Sequence, residues 1–109
     1  MQHILFVCSR NKWRSRTAEI IFKNHGFYRV KSAGTEESAR LKINRGLLLW
    51  ADIVFVMEQK HLDRLNQRFL NEMSSTTVVV LDIPDEYQYM NDDLIELLKE
   101  STKPFVDLS

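Results

Sequence analysis

Ile4-Leu5-Phe6-Val7-Cys8-Ser9-Arg10-Asn11-Lys12-Trp13-Arg14-Ser15-Arg16-Thr17-Ala18-Glu19 is the stretch on which the fold turns. After its opening residue, His3 to Val7 is continuously apolar, the pattern of a strand covered on both sheet faces. The run ends on the chain's only cysteine and passes through a polar loop. A helix is predicted from Arg14 or Ser15 to Asn24, with Ala18, Ile21 and Phe22 facing inward and Gly26 past its end as the stop.

Five residues separate Cys8 from Arg14, enough for a loop that curls round an anion with its backbone N–H groups turned inward. A helix starting at Arg14 adds its positive dipole end and unpaired N–H groups, which favour both a bound oxyanion and a thiolate. Arg14 supplies a planar, permanently charged fork for two phosphate oxygens, and the Ser15 hydroxyl can donate to the sulfur. A lone cysteine at the end of a buried strand is ordinarily a small hydrophobe. The spacing to Arg14-Ser15 and the strand-loop-helix context favour a nucleophile instead. Arg10, Lys12, Arg14 and Arg16 also crowd cations around the sulfur.

Further along, Tyr28 to Ser32 predicts a second strand, closed by a Ser32-Ala33-Gly34-Thr35 turn. Asn44 to Trp50 predicts a helix that Gly46 weakens, with Leu47, Leu48, Leu49 and Trp50 expected in the core. Ile53 to Met57 is another apolar strand, followed by an amphipathic helix from Gln59 to Glu72 carrying Leu62, Leu65 and Phe69 at helical spacing. Thr77 to Leu81 gives a fourth strand. Asn91 caps a last helix to Glu100 that offers Leu94, Ile95, Leu97 and Leu98 for burial, and Phe105 and Val106 are expected to pin the tail. Strands joined through helical sequence argue for an α/β domain with a parallel sheet and right-handed crossovers. Ligands of such sheets bind beyond the carboxyl ends of strands, where Cys8 sits.

Cys8-Ser9-Arg10-Asn11-Lys12-Trp13-Arg14-Ser15 resembles the phosphate-binding loop of the low-molecular-weight protein tyrosine phosphatases, internal asparagine included. The likeness extends in order through Ala18-Glu19, Ser32-Ala33-Gly34-Thr35, Ala51 to Met57 and Ile83-Pro84-Asp85, and is greatest to the short bacterial branch of predicted tyrosine phosphatases. The resemblance implies a three-layer domain over residues 1–109, strand order 2-1-3-4, with the Gly34 segment buttressing the loop. It also implies hydrolysis of phosphomonoesters through a phosphocysteine on Cys8. Arg14 and the loop from Ser9, Arg10, Asn11, Lys12 and Trp13 would hold the phosphate, and Ser15 would ease departure of the thiolate. By the same match Asp85 is the general acid, although in the family the proline follows the aspartate and here Glu86 takes that place. Asp82 is the second candidate, and reads more readily as a strand-end turn residue. Tyr87 and Tyr89 serve either as apolar walls for a phenyl ring or as packing. Fuller members of the family carry an extra helix between the Ser-Ala-Gly-Thr turn and the third strand, which this chain lacks by the same comparison.

Composition narrows the partners. The chain has 109 residues, 44% of them apolar, and its fifteen basic and fifteen acidic residues cancel. One domain with a modest core is expected, without a global field to recruit nucleic acid or an anionic membrane. A single cysteine excludes an internal disulfide, and no signal peptide or long apolar run is present, which fits a reducing cytoplasm. His3, His25 and His61 are scattered without ligand spacing and expected to be surface or partly buried residues, so neither a metal nor another cofactor is called for. The expected partners are a phosphorylated protein or small phosphomonoester, and inorganic phosphate or another oxyanion. A phosphate or phosphopeptide binding module without turnover is the alternative. An arsenate reductase with only Cys8 would need an external thiol.

Overall fold

The computed structural model describes residues 2–107, arranged as a four-stranded parallel sheet between two layers of helix. In chain order the elements are β1 (Gln2–Cys8), α1 (Arg14–Phe22), β2 (Tyr28–Gly34), α2 (Arg45–Trp50), β3 (Ile53–Val56), α3 (Gln59–Arg68), α4 (Leu70–Met73), β4 (Thr77–Val80) and α5 (Asp92–Thr102). The strand order is β2-β1-β3-β4, as the resemblance implied. β1 is central, with Ile4 to Val7 fully buried.

Alternation along the strands builds two cores. Ile4, Phe6, Cys8, Ile53, Phe55 and Met57 pack against α1 and α5 through Ala18, Phe22, Leu94 and Leu98. Leu5, Val7, Val54 and Val56 face Leu48 of α2, Leu65 of α3 and Met73 of α4. Polar residues have no face to occupy in strands covered on both sides, which is why β1 and β3 read as unbroken apolar runs. Phe6 binds the first core together, its ring 5.3 Å from Phe55 and 5.9 Å from Phe22, and each such buried side chain contributes roughly 1.5–3 kcal/mol of burial.

Several boundaries differ from expectation for packing reasons. β2 runs to Gly34 because the parallel register pairs Ala33 with Val7 and Gly34 with Cys8. The expected helix from Gln59 to Glu72 is broken at Phe69 (φ −134°, ψ 42°), which closes α3 and opens α4. A straight helix would carry Met73 about 80° away from the direction of Leu65, and the break returns Met73 to the core. Leu97 and Leu49 are exposed rather than buried, and Phe105 is half-exposed with its ring edge on Phe55 while Val106 is buried. Trp50 stacks on His3 at 4.4 Å. Among the described residues no helix is long and apolar enough to cross a membrane.

Candidate active site

The loop from Ser9 to Trp13 joins the carboxyl end of β1 to α1, and its shape is imposed from outside. Thr35 N–H donates to Cys8 C=O, Glu36 N–H to Ser9 C=O and Arg40 N–H to Arg10 C=O, each at 2.9 Å, and Arg40 Nε reaches Asn11 C=O at 3.3 Å. Four successive carbonyls are thus drawn toward residues 35–40. The N–H of a trans peptide points opposite to its C=O, so the amides of Ser9, Arg10, Asn11 and Lys12 are turned the other way. Asn11 takes a left-handed φ of 54°, which asparagine tolerates, and it is the one such residue in a loop without glycine.

Gly34 makes this clamp possible, and its φ is not positive. A Cβ there would lie 2.6 Å from Ser9 O, 2.8 Å from the Arg10 carbonyl carbon and 2.6 Å from Ala39 Cβ. The glycine allows two backbones to touch, so the buttress that the resemblance implied describes it better than a turn does.

Inside the loop lies a cavity of about 260 Å3 lined by Cys8, Ser9, Arg10, Lys12, Trp13, Arg14, Glu36, Lys60 and Asp85. Cys8 is buried and its Sγ is 2.9 Å from Ser15 Oγ. The direction of that hydrogen bond follows from a relay behind the loop. Glu19 can only accept when ionised, so Ser32 Oγ donates to it and in turn accepts from Asn11 Nδ2 at 2.8 Å. The second Nδ2 hydrogen goes to Ser15 Oγ at 2.7 Å. Ser15 therefore has its own proton free for Cys8 Sγ, with the more distant Ala33 C=O at 3.4 Å as the other acceptor. α1 carries no side-chain cap, so its first N–H groups stay uncommitted to a capping side chain at the same end of the molecule.

Arg14 is 2% exposed and holds three segments together. Its Nη1 donates to Ile83 C=O at 2.8 Å and lies 3.4 Å from Glu58 Oε1, while Nε is 3.7 Å from Asp85 Oδ1. Asp85, half-exposed, thus stands at the rim of the cavity beside the guanidinium. Asp82 does not line the cavity and has a left-handed φ of 57°. Asn11 sits behind the loop as a brace rather than in the lining. Tyr87, expected as a wall, is not brought to the cavity; it packs against the α1–α5 core and borders a shallow groove on α5. Tyr89 lies under the Arg16 guanidinium at 5.0 Å.

Sequence reading missed His61 and Glu58. His61 is 1% exposed, fully buried rather than superficial or partly buried as expected, and its Nδ1 accepts from the Glu58 N–H at 3.0 Å. The proton therefore sits on Nε2, which donates to Ser9 Oγ at 2.9 Å. Burial, reinforced by the Arg14 charge, pushes the His61 pKa down to about 4, so the ring stays neutral near neutrality. Burial would raise the Glu58 carboxyl, but the Lys60 hydrogen bond and the charges of Arg14 and Lys60 together hold it below the usual carboxylate range. The available signal was the Glu58-x-x-His61 spacing at the start of α3, a capping box in which each side chain meets the other's backbone. Among the described residues no group of three His, Cys, Asp or Glu side chains is placed to hold a metal ion.

The sequence matches no family model and no curated protein. Its fold has clear counterparts among solved structures. The tyrosine phosphatase Wzb from Escherichia coli K30, solved with phosphate, is 20% identical with a TM-score of 0.76 over 95% of this chain and 95% of that one. A low molecular weight protein tyrosine phosphatase from Streptococcus pyogenes is 14% identical with a TM-score of 0.76 over 98% and 95%. The YwlE arginine phosphatase from Geobacillus stearothermophilus is 21% identical with a TM-score of 0.64 over 95% and 85%. The chain thus has the fold of the low-molecular-weight tyrosine phosphatases, and at these identities the likeness is one of fold.

Proposed function

We propose that this protein is a cysteine phosphatase that hydrolyses phosphomonoesters, phosphotyrosyl proteins foremost, through a phosphocysteine on Cys8. The observation that carries the reading is the 2.9 Å contact of Cys8 Sγ with a Ser15 hydroxyl that accepts from Asn11 Nδ2 and so has its own proton to give, beside a cavity that Cys8 and Arg14 line.

In the first step Cys8 Sγ attacks phosphorus, an S–P bond forms as the ester P–O bond breaks, and Asp85 gives its proton to the departing oxygen. Arg14 and the loop amides hold the equatorial oxygens, whose charge they are already oriented to meet. In the second step Asp85 takes a proton from water, the resulting oxygen attacks phosphorus, and the S–P bond breaks. Ser15 donates to the leaving thiolate and inorganic phosphate departs. The loop supplies the charge stabilisation, so the reaction needs no metal, and a reducing compartment such as the cytoplasm keeps the thiol usable.

The test is hydrolysis of p-nitrophenyl phosphate in the presence of a chelator. Cys8→Ser should abolish turnover, and Asp85→Asn should slow it by about 10²–10⁴-fold while Asp82→Asn leaves it nearly intact. Phosphate binding without any hydrolysis would replace the enzyme with a binding module. Preference for phosphoarginine over phosphotyrosine in the same assay would move the substrate class.

A further inference from the structure

A second cavity of about 150 Å3 adjoins the first, lined by Ser9, Thr35, Glu36, Lys60, His61 and Arg64. Ser9, Glu36 and Lys60 border both, so the two spaces meet at the His61–Ser9 hydrogen bond. Lys60, Arg64 and Arg68 follow one another at four-residue intervals along α3, which brings them to one side of the helix. Like charges at that spacing repel.

The acidic groups nearby are paired with cations other than Arg64. Glu36 pairs with Arg10 at 3.2 Å, Glu58 with Lys60 at 3.2 Å and Arg14 at 3.4 Å, and Glu37 with Lys42. Asp63, next to Arg64 in sequence, accepts from Gln59 at 3.1 Å. Arg68 donates to Thr35 C=O at 3.2 Å. Arg64 makes no hydrogen bond or ion pair among the described residues. A whole chain of zero net charge therefore presents an uncompensated guanidinium at the wall of a polar cavity beside the nucleophile.

We propose that this cavity is a subsite for a second anionic group on the substrate, a carboxylate or phosphate on a residue flanking the phosphorylated one, held by the Arg64 fork with Lys60 beside it. The proposal rests on the reading of Cys8 as a phosphatase nucleophile.

Binding to the Cys8→Ser protein isolates it from turnover. Three fluorescent phosphotyrosyl peptides are compared by anisotropy: one with neutral flanks, one with flanking Glu, one with a flanking phosphoserine. The acidic peptides should bind about tenfold more tightly than the neutral one, and the phosphoserine arm against the Glu arm identifies the preferred anion. Added salt should shrink the advantage. Arg64→Gln should remove it and Arg64→Glu should reverse it, while kcat/KM of Cys8-containing protein for p-nitrophenyl phosphate stays unchanged. Equal affinities for the three peptides, or a preference that survives Arg64→Gln, overturn the subsite. Failure to hydrolyse p-nitrophenyl phosphate overturns the phosphatase reading alone, because the binding comparison reads the subsite without turnover.

Discussion

At the scale of single residues the site depends on where one proton points. Glu19 lies outside the cavity, yet its carboxylate sets the direction of every hydrogen bond from Ser32 through Asn11 to Ser15. Removing the acceptor without removing volume should expose that role. Glu19→Met should lower kcat about tenfold, the loss of one charge-assisted directional bond. Rapid-quench measurement should show a burst of released phenol, because the step in which the thiolate departs is the one impaired. Glu19→Gln keeps an acceptor oxygen and should behave far more mildly. Equal effects of the two changes, or no burst, would remove Glu19 from the mechanism. Its position one turn into α1 was readable in the sequence; its contact with Ser32, thirteen residues on, was not.

At the scale of elements the deciding event is the approach of the β2 end and residues 35–40 to the loop. This region was the least readable in sequence because it has no periodicity: its order comes from hydrogen bonds to another segment's carbonyls. Gly34→Ala should push the two backbones apart, costing about 1–3 kcal/mol of stability, typical of overpacking. Phosphate affinity should fall by more than tenfold, since the amides turn with the carbonyls that orient them. Gly26→Ala is the control, with nothing within 4 Å of the added methyl and little expected change. Denaturant melts together with calorimetric phosphate titration separate the two effects. A Gly34→Ala protein that binds phosphate normally would show that the loop holds its shape unaided.

At the scale of the whole molecule, the buried His61 couples stability to pH. Its pKa is lowered from 6.5 to about 4 by folding, so between those values the unfolded chain binds the extra proton. Stability from this group is fully present above pH 6.5 and is lost as pH falls toward 4. The lowered carboxyls of Glu37 and Glu58 lose their contribution only further down, below their ordinary value of 4.5. The slope in the upper part of this window therefore belongs to His61. Urea midpoints measured from pH 7 to 5 should fall for the wild type and stay nearly flat for His61→Gln. The same slope in both would place the responsible proton elsewhere.

The sequence by itself determined the parts that rest on local pattern. Two unbroken apolar strands required a sheet covered on both faces, the Cys8-to-Arg14 spacing defined the loop, and Asn91 capped its helix as expected. Each depends on residues within a turn or two of one another, where period, charge and capping act directly. Only the tertiary structure decided which aspartate stands at the cavity, that Tyr87 does not, and that His61 is buried beneath Ser9. These outcomes join positions 69 residues apart for Arg14 and Ile83 and 52 for Ser9 and His61. Nothing in a local window records which distant carbonyl will satisfy a buried donor; that is settled when the sheet closes and every such group must find a partner.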